Sequence, residues 1–163
     1  MLAGIFCEWL EEREQLGLLG TYAPLLGREF CSLGRFEEAE ALALRGRDLV
    51  GDRPDDRHRW RRVYALVLAH RGEHAEADRL AREAIAGVEE TDSLTHQGDA
   101  WYDLAEVLAA AGREEEAAAA LAEALDRYER KQNIPLARQV RERLAALQGG
   151  SVSAPLGSSG RAG

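Results

Sequence analysis

The residues of this chain that could do chemistry are a few histidines, two cysteines and one acidic triplet. His70 and His74 are four residues apart, a spacing that places two imidazoles on one face of a helix as metal ligands. Gly72 lies between them and no third ligand is near, so we expect both side chains to be exposed beside a turn. His58 and His96 fall in predicted loops, and we expect them to be exposed as well.

The acidic triplet at residues 114–116 could supply paired carboxylates, but acid–base catalysis needs a pocket that shifts a pKa. We expect the exposed start of a helix, where the helix dipole favours acidic side chains. The sequence contains no phosphate-binding loop, serine nucleophile elbow or C-x-x-C pair. Cys7 and Cys31 lack the spacing of a disulfide framework. We therefore expect no enzymatic activity, no cofactor and no metal.

The charge of the chain argues against nucleic acid as a partner. Its 163 residues carry a formal net charge of −8, whereas affinity for nucleic acid comes largely from neutralised phosphates. One basic cluster, formed by Arg57, Arg59, Arg61 and Arg62, adjoins aspartates and a single aromatic residue, so we expect a solvated, ion-paired face. No apolar run has the length of a membrane span, and the opening residues lack the basic start of a signal peptide. We expect a cytoplasmic protein without membrane contact.

Three turn glycines, Gly34, Gly72 and Gly112, divide the chain into repeated units. Each has a small residue seven positions before it, a large apolar residue four before it, glutamate four after it, alanine five after it and a small residue twelve after it. The small residues are Gly27, Ala65 and Ala105 before the turns and Ala39, Ala77, Ala117, Gly46, Ala84 and Ala124 after them. Small residues let two helices approach closely, and the large residue fills the remaining groove. The pattern predicts three helical hairpins.

This spacing resembles the tetratricopeptide repeat (TPR) over roughly residues 20–130. The usual period of that family is about 34 residues, whereas these glycines are 38 and 40 residues apart, and the surplus lies between hairpins. The variant resembles the carboxy-terminal superhelices of large bacterial regulators that also carry a nucleotide-binding ATPase or a nucleotide-cyclase domain. The resemblance implies an all-α fold, a right-handed α-solenoid of about three repeats with a leading helix and a carboxy-terminal capping helix.

We predict a TPR-like helical repeat domain over residues 1–148 and a disordered tail, rich in glycine and serine, over residues 149–163. Thr21 is predicted to cap the first helix of the first hairpin, with Pro24 in the first turn. Asn133 is predicted to cap the closing helix, whose buried stripe is Leu136, Val140, Leu144 and Leu147.

A leading helix is predicted over residues 2–16, with Gly17 following it. Its hairpin partner is missing, and an internal repeat of a solenoid needs neighbours on both sides. We therefore expect a fragment of a longer superhelix. Phe6, Trp9 and Leu10 are predicted to form an exposed patch that promotes self-association.

In a superhelix of this type, the first helix of each hairpin lines the concave side. The residues predicted to bind a partner there are Arg28, Arg59, Arg62, His70, Asp99, Tyr102 and Glu106. Because this set runs from basic to acidic, it favours an oriented peptide, with Tyr102 as its apolar anchor. The opposing possibility is that Arg62 and Glu106 pair with each other and leave the groove inert.

Two functions follow from the resemblance. The first is a non-catalytic scaffold for protein–protein interaction, the carboxy-terminal partner-recognition part of a larger bacterial regulator in signal transduction. The alternative is a structural accessory fragment that supports a catalytic domain, nucleotide-binding or cyclase, which this chain does not contain.

Overall fold

The computed structural model describes residues 15–50 and 57–151, together with Cys7, Trp9, Glu12 and Arg13. Residues 15–50 and 57–151 form seven helices and no strand. The helices are α1 (Leu16–Ser32), α2 (Phe36–Val50), α3 (Arg57–His70), α4 (His74–Glu89), α5 (Leu94–Ala110), α6 (Glu114–Arg130) and α7 (Ile134–Ser151). None of the helices in the described ranges combines the length and apolarity that crossing a bilayer requires.

The helices pack in the order of the chain. Each packs against the next, and the first helices of consecutive hairpins also touch, α1 against α3 and α3 against α5. We refer to α1–α2, α3–α4 and α5–α6 as the first, second and third hairpins. The prediction of an all-α fold built from helical hairpins is confirmed.

The three turn glycines have the backbone conformation that the sequence predicts. Gly34, Gly72 and Gly112 have φ values of +73°, +83° and +72°, which glycine adopts at little steric cost. In the first turn the amide of Arg35 donates to the carbonyl of Phe30 (2.9 Å), the longer bond of a Schellman motif, and the other two turns repeat it. A fourth turn of this kind joins α6 to α7 at Gln132, a non-glycine residue with φ +60°.

The small residues at the repeated positions lie at helix contacts, as predicted. Ala39, Ala77 and Ala117 are fully buried. A methyl group added to Gly46 would lie 2.5 Å from the ring of Pro24, so the bare backbone of α2 is what makes room for a proline in α1. The hairpins are therefore held by close backbone approach, with larger side chains between them.

The core is built mainly from leucine, alanine and valine. A large cluster from α3 to α7 includes the fully buried Leu104, Leu108 and Leu121, and the ring of Tyr128. Two smaller clusters lie around Phe30 in the first hairpin and around Leu19 in α1. Throughout the described residues, the cation of each ion pair is an arginine, and the single lysine, Lys131, is exposed.

The predicted start of the first hairpin is six residues too late, because the cap is at Gln15 and not at Thr21. Helix α1 begins at Leu16, so Gly17 lies in its first turn, and Thr21 lies inside the helix, where its hydroxyl donates to the carbonyl of Gly17 (3.2 Å). Pro24 is buried in the helix interior. Burial of one face of this helix against its neighbours outweighs the local capping preference of Thr21.

The closing helix begins as predicted and ends later. The amide of Leu136 donates to the side-chain oxygen of Asn133 (3.3 Å), which confirms the cap, and Val140 is fully buried. Leu136, Leu144 and Leu147 are half-buried against the core. Because α7 continues to Ser151, residues 149–151 of the predicted tail are helical, and residues 152–163 lie outside the described part of the chain.

The predicted amino-terminal patch is described only in part. Phe6 and Leu10 lie outside the described residues. Trp9 is 45% exposed, with the guanidinium carbon of Arg13 4.3 Å from its ring centroid. Cys7 is buried in a cluster with Leu19 and Ala23, so this part of the chain packs against α1.

Candidate functional site

A groove of about 940 Å³ runs across the first helices of the three hairpins and reaches α7. The seven residues predicted to bind a partner all line it. They are Arg28 from α1, Arg59, Arg62 and His70 from α3, and Asp99, Tyr102 and Glu106 from α5. The structure thus brings the complete predicted set together on one concave surface.

The lining residues occupy equivalent positions in the three hairpins. Six residues before each turn glycine stand Arg28, Leu66 and Glu106, all of which line the groove. This row runs from basic through apolar to acidic, the gradient that the sequence indicates. The groove is therefore a repeated surface, with side chains that differ from one hairpin to the next.

The centre of the groove holds a buried carboxylate that the sequence analysis missed. Asp103 is 1% exposed and accepts hydrogen bonds from Arg28 Nε (2.7 Å) and Arg62 Nε (2.8 Å). Its position, nine residues before the turn glycine, is apolar in the other hairpins, Leu25 and Val63. An acid at an otherwise apolar repeat position is the signal that could have revealed it.

The network continues from Asp103 to α6. Arg62 Nη1 lies 3.8 Å from a carboxylate oxygen of Asp99, and the hydroxyl of Tyr128 donates to Asp99 (2.6 Å). Burial and the adjacent carboxylate raise the pKa of Tyr128. The carboxylate of Asp103 raises the pKa of Arg28. Four helices, α1, α3, α5 and α6, are joined through these charge-assisted bonds.

Helix α7 closes one end of the groove. Arg143 Nε donates to Glu106 (2.7 Å), and the side-chain amide of Gln139 lies 3.5 Å from the hydroxyl of Tyr102. The alternative that Arg62 and Glu106 pair with each other is wrong, because Arg62 bonds to Asp103 and Glu106 bonds to Arg143. Most charges of the predicted set are thus already paired within the protein.

Other lining groups give the groove an apolar and aromatic character. Tyr22 and Leu25 of α1 are 43% and 41% exposed and line its first-hairpin end. The ring of His70 stacks on Phe36, with centroids 3.7 Å apart. Cys31 is half-buried in the lining, and burial raises the pKa of its thiol to about 11.

The expectation for His58 and His96 is wrong. His58 is 2% exposed near the start of α3, and neither ring nitrogen has a hydrogen-bond partner. His96 is half-buried in α5, with its ring centroid 6.0 Å from that of His58. Burial, reinforced by Arg59 and Arg62, lowers the pKa of His58 to about 3. Because these helices begin before the two histidines, both rings lie at a helix contact.

The remaining chemical candidates are dispersed. His70 is exposed beside its turn as predicted, whereas His74 is half-buried at the start of α4. Residues 114–116 are exposed in the first turn of α6. Among the described residues, no group of three or more His, Cys, Asp or Glu side chains could hold a metal ion.

The basic cluster points in several directions. The side chain of Arg57 lies outside the described residues. Arg59 and Arg62 face the groove, whereas Arg61 Nε lies 3.3 Å from Glu83 of α4 and its guanidinium lies 4.8 Å from the ring centroid of Trp60. The described side chains of this cluster thus divide between the groove and an ion pair with α4.

Comparisons with known proteins give no family for this chain. No protein-family model matches the sequence, and no curated protein is significantly similar to it.

Proposed function

We propose that this chain is a non-catalytic scaffold for protein–protein interaction, and that its groove receives an extended or helical segment of a partner protein. The supporting observation is that equivalent positions of three successive hairpins line one concave surface. This arrangement, with the residue spacing of the hairpins, supports a right-handed α-solenoid of the TPR type. Repeat proteins use such extended concave surfaces for binding.

The partner is expected to contact the groove chiefly through apolar and aromatic groups. Arg28, Arg62 and Glu106 bond to other residues of the protein, so their charges are largely compensated. Tyr102 is half-buried and Tyr22 is exposed, and such aromatic side chains supply much of the binding energy at interfaces. The basic-to-acidic order then orients the partner more than it attracts it.

The wider proposal places this chain in the cytoplasm of a bacterium, as the carboxy-terminal partner-recognition part of a signalling regulator. The alternative is an accessory fragment that only supports a catalytic domain. One observation favours that alternative: the charges at the groove centre satisfy each other, so the surface is stable without a ligand.

The function is tested with peptide libraries displayed on phage and selected against the intact protein. We expect enriched peptides, and we expect Tyr102→Ala and Arg59→Ala each to weaken their binding about tenfold or more with little change in melting temperature. Arg79→Ala alters a surface pair of α4 and should leave binding unchanged. Loss of binding only in the Arg79 variant would assign function to the convex face, and the absence of enriched peptides would favour the accessory role.

Self-association through the amino-terminal end is part of the same proposal. Trp9, Leu18, Tyr22 and Leu25 are all exposed, and residues 16–27 contain no charged side chain. Exposed apolar patches of this kind mark association sites. Sedimentation velocity of the parent and of Trp9→Glu tests the proposal, and a parent that stays monomeric at high concentration contradicts it.

A further inference from the structure

The two arginines that bond to Asp103 are held very differently. Arg62 donates from Nε to one carboxylate oxygen (2.8 Å), with Nη2 2.7 Å from the same oxygen, and its side chain is 10% exposed. Arg28 donates from Nε to the other oxygen (2.7 Å), and its side chain is 26% exposed. Water therefore reaches Arg28 more readily than Arg62.

Their positions in the fold differ as well. Arg62 lies on α3, which packs against α5, the helix of Asp103. Arg28 lies on α1, whose main contacts are with α2 and α3. The bond from Arg28 thus joins the first hairpin directly to the third, across the groove.

Because of these differences, breaking the bond of Arg28 to Asp103 costs less free energy than breaking the bond of Arg62. If Arg62 left, the buried carboxylate would lose its better-shielded partner, and uncompensated buried charges are strongly destabilising. If Arg28 left, Asp103 would keep its hydrogen bond and ion pair with Arg62, and the guanidinium of Arg28 would regain water. Release is therefore far cheaper at Arg28.

We infer that Arg28 is a releasable strap, which holds the first hairpin against the third and, when it leaves Asp103, opens the groove at its first-hairpin end. The hairpin would move on its contacts with α3. Cys31 follows Arg28 by three residues on the same face of α1 and lines the groove, so its thiol becomes more accessible when the strap is released.

The test is the rate at which the neutral reagent iodoacetamide alkylates Cys31, read by mass spectrometry of the peptides that contain Cys31 and Cys7. Arg28→Met removes the charge and keeps the aliphatic stem. Arg35→Met is the control, because Arg35 lies at the turn of the same hairpin and bonds to Glu38 at the surface. We expect about tenfold faster alkylation of Cys31 in Arg28→Met and no change in the control.

The electrostatic effect of this substitution has the opposite sign. Arg28 lowers the pKa of Cys31, and the thiolate is the reactive form. Removing the charge alone would therefore slow the alkylation, so faster alkylation reports opening. Hydrogen exchange provides the second readout, with amides of α1 and α2 exchanging about tenfold faster and those of α5 and α6 unchanged.

Two results would overturn the inference. One is an Arg28→Met variant that matches the control in both readouts, and the other is faster exchange in all helices, which would indicate general destabilisation. Should this variant fail to fold, Arg28→Gln, which is neutral but polar, takes its place in both readouts. Alkylation of Cys31 at the rate of the control in that variant also rejects the strap.

Discussion

At His58, burial places two polar ring nitrogens where no described protein group forms a hydrogen bond with them. A buried polar group without a hydrogen bond costs stability, and burial disfavours the charged form of the ring. The position is therefore a source of instability within the contact between the second and third hairpins. His96, half-buried beside it, also has a lowered pKa, mainly through burial.

The first prediction concerns acid. The pKa of His58 is lowered from 6.5 to about 3 in the folded protein, so below pH 6.5 the unfolded chain binds a proton that the folded chain does not. Stability is therefore lost as the pH falls from 6.5 towards 3, by at most about 1.4 kcal/mol per pH unit. Urea unfolding at pH 7 and pH 5 measures this loss.

His58→Leu should reduce the loss between these two pH values and leave stability at pH 7 equal or higher, because the unpaired nitrogens are gone. The matched control is His70→Leu at an exposed position, which should keep the acid sensitivity of the parent. Equal pH dependence in parent and His58→Leu would show that other groups cause it.

At the scale of single helices and turns, small residues determine which contacts are possible. Gly46 faces the ring of Pro24, whereas a methyl group added to Gly17 would have no neighbour within 4 Å. Both glycines lie in helices, where alanine is intrinsically better by about 0.5–1 kcal/mol. At Gly46, helix propensity favours alanine and packing disfavours it, whereas at Gly17 packing does not oppose alanine.

We predict that Gly46→Ala destabilises the protein by about 1–3 kcal/mol through overpacking, while Gly17→Ala leaves stability equal or raises it by up to about 1 kcal/mol. Chemical denaturation of both variants measures the difference. If the two alanines have the same effect, the close contact between α1 and α2 is not a determinant of stability.

At the turn formed by Gln132, we predict a substitution that stabilises the protein. This residue has φ +60°, a conformation that costs a residue with a side chain roughly 1–2 kcal/mol. Gln132→Gly should therefore raise the melting temperature. The expected gain in the free energy of unfolding is about 1 kcal/mol, because the greater flexibility of glycine in the unfolded chain offsets part of the relieved strain. Gly112→Ala at the equivalent turn should lower the melting temperature, and a parallel shift in both variants would contradict this account.

The same features explain how much of the fold the sequence could predict. Turn glycines and small residues are local requirements, so the positions of Gly34, Gly72 and Gly112 predicted the hairpins. The beginning of α1 could not be predicted in this way, because it depends on burial against other helices and not on the capping residue Thr21. Asp103 was missed for a related reason, since its partners lie 75 and 41 residues away in the chain.

For the whole molecule, Asp103 links three hairpins through one carboxylate. Asp103→Ala would leave Arg28 and Arg62 without their shared partner, and breaking a buried ion pair costs about 3–5 kcal/mol. We predict a loss of this size in the free energy of unfolding, measured in urea. Glu115→Ala, at an exposed position, should behave like the parent, and an Asp103 variant of equal stability would show that the network contributes nothing.

The use of arginine as the cation in the described ion pairs has a consequence for alkaline conditions. Guanidinium groups stay protonated far above the range in which lysine loses its charge, so these pairs persist at high pH. In the folded protein, burial raises the pKa of Cys31 to about 11 and also raises the pKa of Tyr128. The unfolded chain loses these protons at lower pH than the folded chain does, from about pH 9 for the thiol, so stability falls above that pH. Melting temperatures should therefore stay constant up to about pH 9 and fall above it. Cys31→Ser should delay the fall, because ionisation of this thiol then no longer lowers stability in a protein whose ion pairs tolerate alkali.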